Sequence, residues 1–433
     1  MRFRDRLWNP YMIVFMSSAC IMVIELVASR LIAPRLGVSL YTWTSVIGVI
    51  LAGISLGNYL GGRLSDRFAS RPFLGLILAL ASLGSLSILA LNKVIGGVGF
   101  AGQLPLMLWV VINIAAVFFV PSVILGCVSP IVVKLSLTDL KRSGTTVGKI
   151  YAWSTAGSIV GTFATGFYLI SAFGTKAIIL MVAGLLLLMA LWFLTDTHRA
   201  GVIIPSVIVV ALWGGTFRGL QAADLISSEC LRESNYFCIK VWNRNVNGHE
   251  VRELVLDRLV HSYTHLDDPT VLTYAYEKIY AEMILPLKRT RPDARVLFIG
   301  GGGYTFPRYM EKTWPDSHLI VAEIDPAVTE VAYEQLGLAP DTRIVTYYLD
   351  ARIMMEREGA PDSYDIIFGD AFNDYSVPFH LTTLEFNQIV DRLLRDDGLY
   401  LVNIIDGGPR GHFMRAYVRT LQQVFRHVMV IPI

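Results

Sequence analysis

The chain is short of charge. Only 17% of its 433 residues are Asp, Glu, Lys or Arg, while 54% are hydrophobic. Soluble domains carry about a quarter charged residues, so this balance excludes an ordinary soluble protein and points to a membrane protein. What charge there is nearly cancels, at a net +2, which leaves no electrostatic footprint for a nucleic-acid partner. Cysteine is scarce too, and four do not make a disulfide framework. Cys20 and Cys127 fall inside apolar stretches, whereas Cys230 and Cys238 stand close together later in the chain. No Cys-x-x-Cys or histidine pair has zinc spacing, so no metal is expected. No Ser/His/Asp order stands out, which argues against a nucleophilic hydrolase.

Long apolar runs are plentiful. They occur at 10–33, 42–62, 72–95, 104–133, 149–172, 176–195 and 201–217. Most are long enough to cross a hydrocarbon core of about 30 Å. The last is shorter, carries Pro205 and is marginal. Gly53, Gly57 and Gly61 recur every four residues, and Gly157 and Gly161 repeat the device, which predicts close helix contacts. Pro121 and Pro130 predict a kink in the fourth segment. Arg2, Arg4 and Arg6 precede the first segment. Arg63, Arg67 and Arg71 surround the end of the second, and Lys134, Lys141, Arg142 and Lys149 follow the fourth. The opposite loops carry little beyond Arg35, Lys93 and Lys176. The amino terminus and the even-numbered ends are therefore expected inside a cell (inner) membrane. Seven crossings would put everything after residue 218 outside, where Cys230 and Cys238 would pair; six would leave it inside with free thiols. The supply of nucleotide-derived substrates favours six crossings and the cytoplasmic face.

From Gln221 the composition becomes that of a soluble domain. Tyr236–Trp242 and Glu250–Asp257 alternate around NRNVNGH and predict a β-hairpin, followed by a helix over Val271–Met283. Strands are then expected at Val296–Ile299, Leu319–Ala322, about Arg343–Tyr347, Tyr364–Phe368, Leu399–Asn403 and about Arg426–Ile431, alternating with helices. The fold class is a polytopic α-helical membrane bundle (1–220), a small β-hairpin and helix domain (221–285), and an α/β doubly wound, Rossmann-like domain (286–433).

Arg295–Asp325 is the most informative stretch. A buried strand ends in Gly300-Gly301-Gly302-Gly303, and the next strand ends on Glu323. Small residues after a strand let backbone approach a ligand, and an acid about 20 residues on suits a ribose diol. The turn is not GxGxxG, so a dinucleotide pyrophosphate is not implied. Asp350 and Asp370 mark two further strand tips. Asp350 suits an exocyclic amine such as adenine's, because an ionised carboxylate only accepts. Asp370 is the candidate catalytic residue, placed to take a proton from an amine or to steer a cationic one.

ESNYFCIKV, VLFIGGGG, AEIDP, LDAR and YDIIFGDAFNDYSVPFHLTTLEF together resemble the spermidine/spermine synthase (aminopropyltransferase) family, in particular its membrane-fused branch. The resemblance begins near Glu233 and runs to the end of the chain. It implies a hairpin domain, a class I methyltransferase-like sheet, and a homodimer. The implied donor is decarboxylated S-adenosylmethionine, with methylthioadenosine as product and no tightly bound cofactor. By resemblance Gly300, Gly301 and Gly302 approach the donor, Glu323 holds its ribose, and Asp350 with Ala351 reads the adenine. Tyr236, His261, Tyr280, Asn373 and Asp374 would meet the substrates.

Several positions depart from the family pattern. Gly303 stands where the family has an aspartate, Phe237 where it has a glutamine, Ala281 where it has a histidine, and Asn373 where it has the second loop acid. A polyamine ammonium without partners is costly to desolvate, so the polyamine half of the site is expected to be weakened. Two other readings follow: acceptor-independent cleavage or cyclisation of S-adenosylmethionine itself, or a non-catalytic nucleoside-sensing membrane transporter.

Overall fold

The structure, a computed structural model, describes residues 9–96, 105–137, 139–194, 203–246, 248–371, 377–406 and 411–432. It divides into two compact units, 1–229 and 230–433.

The described residues of the first unit form helices and no strand. Its helices are α1 (Pro10–Leu36), α2 (Leu40–Phe68), α3 (Arg71–Gly96), α4 (Leu106–Gly126), α5 (Val128–Ser136), α6 (Ser143–Ala164), α7 (Ile170–Phe173), α8 (Thr175–Leu194) and α9 (Ile203–Ala222). Six helical stretches among the described residues are long and apolar enough to cross a membrane, with α4–α5 and α6–α7 each making one. A π-helical turn, Thr165–Leu169, links α6 to α7; nothing in the sequence pattern announced it. The break between α4 and α5 falls at Cys127, since the ring of Pro130 crowds the carbonyl four residues back, at Gly126.

The glycine faces do what their spacing implies. A Cβ on Gly57 would lie 2.2 Å from the Val123 carbonyl oxygen, and one on Gly157 would lie 2.1 Å from that of Phe15. Thus α2 meets α4, and α6 meets α1, at backbone contact.

Helix α9 runs alongside α3 in the same direction. Near its middle, Trp213 Nε1 donates to Ser82 Oγ at 3.1 Å, and Ser82 Oγ donates to the Ala183 carbonyl at 2.6 Å. Just past its end, the Ala223 carbonyl lies 3.5 Å from Lys93 Nζ. Lys176 donates to the Ser227 carbonyl, and Arg35 pairs with Glu229 at 3.4 Å. The segment after α9 therefore reaches the end marked by Arg35, Lys93 and Lys176, opposite the arginine-rich ends. With 20 residues and a rise of about 1.5 Å each, α9 is as long as the bilayer core is thick. The marginal run at 201–217 is thus part of a 20-residue helix, which is not among the six membrane-length stretches.

The second unit opens with an antiparallel sheet in sequential order: β1 (Arg232–Glu233), β2 (Cys238–Val246), β3 (His249–Leu256) and β4 (Leu259–Thr264). The expected hairpin is its β2–β3 pair. A disulfide joins Cys230 to Cys238 and ties the entry of the unit to β2. Helix α10 (Ala275–Met283) is shorter than expected, because residues 271–273 lie outside it and Tyr274, in extended conformation, is its N-cap. The β-branched Val271 and Thr273 there favour extended backbone.

After α11 (Leu285–Thr290) come β5 (Arg295–Ile299), α12 (Thr305–Thr313), β6 (His318–Ala322), α13 (Pro326–Gln335), β7 (Val345–Tyr347), α14 (Ala351–Glu358), β8 (Tyr364–Gly369), α15 (Leu384–Leu393), β9 (Leu394–Val402) and α16 (His412–Leu421). The parallel sheet has the order β7-β6-β5-β8-β9. Alternate residues of each strand feed two cores. Val296, Phe298, Val321 and Phe368 pack toward Ile239, Tyr280 and Phe306, while Leu297, Ile299, Ile320 and Ile367 pack toward Met354, Phe386 and Val390. This is the doubly wound arrangement.

Two strand expectations need correction. Strand β7 starts two residues late, because the Arg343 and Ile344 amides are taken by Glu311 and Thr342 side chains. The sixth strand does not form: 426–432 pair with nothing in the sheet, and Met429 is 79% exposed. An apolar pattern alone makes no strand without a neighbouring ladder, and Pro432 has no donor to give one.

Candidate active site

In a parallel sheet of this order, the chain leaves β5 on one side and β8 on the other. The crevice between their carboxyl ends is where ligands bind. Gly300 continues β5, and Asp370 continues β8. The two touch: a Cβ on Gly300, whose φ is +97°, would lie 2.7 Å from the Asp370 carbonyl oxygen. Only glycine fits that approach.

A cavity of about 200 Å³ opens at this point. It is lined by the glycine turn and Asp370, by His261 and Ser262 of β4, and by Tyr274, Tyr276, Glu277 and Tyr280 at and along α10. Asp370 is held from both sides: Tyr276 OH donates to Oδ2 at 2.9 Å and Asn403 Nδ2 to Oδ1 at 3.0 Å. Burial raises its pKa, and these two bonds pull the other way. A second acid, Glu277, stands in the same cavity. Burial first, and the Asp370 charge second, push its carboxyl up to about 8. Burial also pushes His261 down to about 4, so its ring is neutral at pH 7.

Glu323 is buried and turned into the glycine loop. Its Oε2 accepts from the Gly301 amide at 2.8 Å and the Gly302 amide at 3.4 Å, and Oε1 accepts from the Asp325 amide at 2.9 Å. The acid thus shapes the loop, and only remaining lone pairs face a ligand. Asp350 caps α14 through Oδ1, while Oδ2 meets His380 Nε2 at 2.7 Å. Ala351, the first residue of α14, is buried beneath it. Tyr236 is 42% exposed, and its phenol is raised first by burial and then by the charges of Asp325, Asp350 and Glu323. It therefore belongs with the strand-tip acids and does not line the cavity. Tyr280 and His261 do line it. Asn373 and Asp374 lie outside the described residues.

Gly303 has a spatial reason. A Cβ there would lie 1.9 Å from Ser262 Oγ and 3.1 Å from Thr264 Oγ1. Strand β4 occupies the space that an aspartate side chain would need. The next residue, Tyr304, is left-handed (φ 55°) and fully buried, its hydroxyl bonded to Thr329 and Thr346. Sequence reasoning missed Tyr276, Glu277, Asn403 and His380. The first two were visible only as members of a tyrosine-rich helix, and Asn403 only as a strand end.

No protein-family model matches the chain. A polyamine aminopropyltransferase of Vibrio vulnificus is 36% identical over 127 residues, 29% of this chain and 42% of that protein. The chain thus spans less than half the length of that relative. Polyamine aminopropyltransferase 2 of Streptomyces coelicolor is 25% identical over 425 residues, covering 92% of this chain and 74% of its own length. That match extends over both units. Among solved structures, a probable spermidine synthase from Corynebacterium glutamicum superposes with a TM-score of 0.42 at 24% identity, covering 46% of this chain and 72% of that one. The chain, six membrane-length helical stretches followed by a doubly wound unit, is thus similar to polyamine aminopropyltransferases, at 36% identity over a short stretch and at 25% over both units.

Proposed function

We propose that the second unit is an alkyl transferase of the spermidine synthase type. It takes decarboxylated S-adenosylmethionine as donor and an amine of the polyamine class as acceptor. The observation that carries this reading is the placement of Asp370. Its carboxylate stands at the sheet's crossover crevice, against the glycine turn, oriented by Tyr276 and Asn403. The acceptor nitrogen's lone pair attacks the aminopropyl carbon bonded to sulfur, and the new C–N bond forms as the C–S bond breaks. Sulfur keeps the electron pair and leaves as the neutral thioether of methylthioadenosine. The proton released by the acceptor passes to Asp370, whose raised pKa suits a base. The donor's adenosine half would lie along Glu323, Asp350 and Ala351, with Gly300, Gly301 and Gly302 beneath the sulfonium.

A specific observation supports a second reading, cleavage of intact S-adenosylmethionine without an acceptor. Gly303 leaves no acid at that point of the turn, and Ser262 Oγ, which would meet a Cβ there, has no partner among the described residues. Purified full-length protein is incubated with either donor, with and without putrescine, while methylthioadenosine is followed. Release that needs both the decarboxylated donor and the amine supports transfer. Release from the intact donor alone supports the second reading, and nucleoside binding without turnover supports a sensor.

The setting is a multi-pass membrane protein in which α9 adds a seventh crossing to the six membrane-length stretches, so that the chain leaves the bundle on the side away from the arginine-rich ends. The course of α9 and the Cys230–Cys238 pair support this over the cytoplasmic face favoured by substrate supply. Intact cells carrying Asp397→Cys, treated with a membrane-impermeant maleimide, test the orientation. Labelling is the expected result, and labelling only after lysis would restore six crossings.

A further inference from the structure

Four side-chain atoms on the cavity wall are buried without a hydrogen-bond partner among the described residues: His261 Nε2, Ser262 Oγ, Glu277 Oε2 and Tyr280 OH. Buried polar groups are normally satisfied, so four unsatisfied ones around one cavity describe the outline of a polar ligand. Only one of the four is a carboxylate. Both oxygens of Asp370 already accept from the protein, whereas Glu277 keeps one oxygen with no donor among the described residues. Glu277 is only 2% exposed, and the rings of Tyr274, Tyr276 and Tyr280 share its cavity wall. A carboxylate among aromatic faces is an environment for a cation.

Glu277 also has an ordinary structural role. It is the third residue of α10, and its carboxylate accepts from the backbone amide of the N-cap Tyr274. That is the returning half of a capping box, which Glu and Gln perform equally well. Capping accounts for one oxygen and for no charge.

We propose that Glu277 is a specificity-determining residue, the ammonium-binding carboxylate of this cavity, selecting a donor that ends in a bare aminopropyl group over one that also carries a carboxylate. This deepens the transferase reading and rests on it. An aspartate at position 303 has no room beside Ser262; Glu277, whose raised carboxyl keeps its proton in the empty cavity at pH 7, releases it to solvent as an ammonium binds and so supplies the negative charge from α10. A donor ammonium satisfies Oε2. A donor α-carboxylate placed there instead faces both Glu277 and Asp370, and is repelled.

Glu277→Gln separates the two roles, because glutamine keeps the cap and removes the charge. Equilibrium binding to the full-length protein is measured for decarboxylated S-adenosylmethionine, S-adenosylmethionine and methylthioadenosine, which lacks the amine. Losing a charge-assisted bond is expected to weaken the decarboxylated donor on the order of 10- to 100-fold, with methylthioadenosine unchanged and the preference over intact S-adenosylmethionine reduced. Glu277→Asp, which retains charge, should recover part of the selectivity. Unchanged affinity for the decarboxylated donor in Glu277→Gln, with methylthioadenosine still bound, would overturn the proposal and leave the transferase reading standing. Failure of the wild type to bind either nucleoside would overturn both.

Discussion

Replacing Glu277 by Gln should stabilise the ligand-free protein, and by an amount that grows with pH. The carboxyl is raised from 4.5 to about 8 on folding, first by burial and then by Asp370. A carboxyl raised on folding binds more protons in the folded state. Its contribution to stability is therefore greatest below pH 4.5 and declines as pH rises towards 8. The full span is 8 − 4.5 = 3.5 pH units, or roughly 5 kcal/mol at about 1.36 kcal/mol per unit. About 3 kcal/mol of this is already lost at pH 7. Glutamine carries no charge and keeps the α10 cap, so these figures are ceilings for its gain. Hydrogen exchange of the slowest β5 and β8 amides in the full-length protein, corrected for intrinsic rates, reads the difference. The variant should match the wild type near pH 5 and exceed it by about 2–5 kcal/mol at pH 9. A difference independent of pH, or a variant less protected at pH 9, would refute the reasoning. Together with weaker donor binding, the gain would mark Glu277 as a group kept for function at a cost in stability.

Asp370→Asn removes the proton acceptor but keeps an oxygen for the Tyr276 hydroxyl; turnover should fall about 10²- to 10⁴-fold with methylthioadenosine binding little changed. Gly303→Asp forces a side chain into Ser262 and Thr264 and should cost about 1–3 kcal/mol, seen as lost exchange protection in β4. Asp365, 1% exposed, accepts from Arg291, Arg395 and the Arg295 amide. Asp365→Ala strands these donors at the start of β5 and should cost about 3 kcal/mol, read as a lower denaturant midpoint. Gly57→Leu, in contact with the Val123 backbone, should separate α2 from α4 and reduce the yield of folded protein in detergent.

The sequence carried the elements whose signals are local. Apolar length located the helices, four-residue glycine spacing located their contacts, and the run from Val296 through Glu323 located the crossover crevice. It failed where partners come from elsewhere in the chain. A strand over Arg426–Ile431 looks plausible until its missing neighbour is known. Glu277 looks like a surface charge until the topology faces it toward Asp370, 93 residues away in sequence. The glycine at 303 read as a lost acid, and only the packing of Ser262 explains why no acid fits. The shortness of 201–217 concealed a full-length helix because its last turns, through Arg218 and Gln221, are polar.

Transfer itself can be followed directly. Decarboxylated S-adenosylmethionine deuterated along its aminopropyl chain is incubated with putrescine and the full-length protein, and the amines are weighed by mass spectrometry. Spermidine carrying the whole label, formed by the wild type and not by Asp370→Asn, is the expected result. Unlabelled amines from an active-site-occupied wild-type protein would contradict aminopropyl transfer at this crevice.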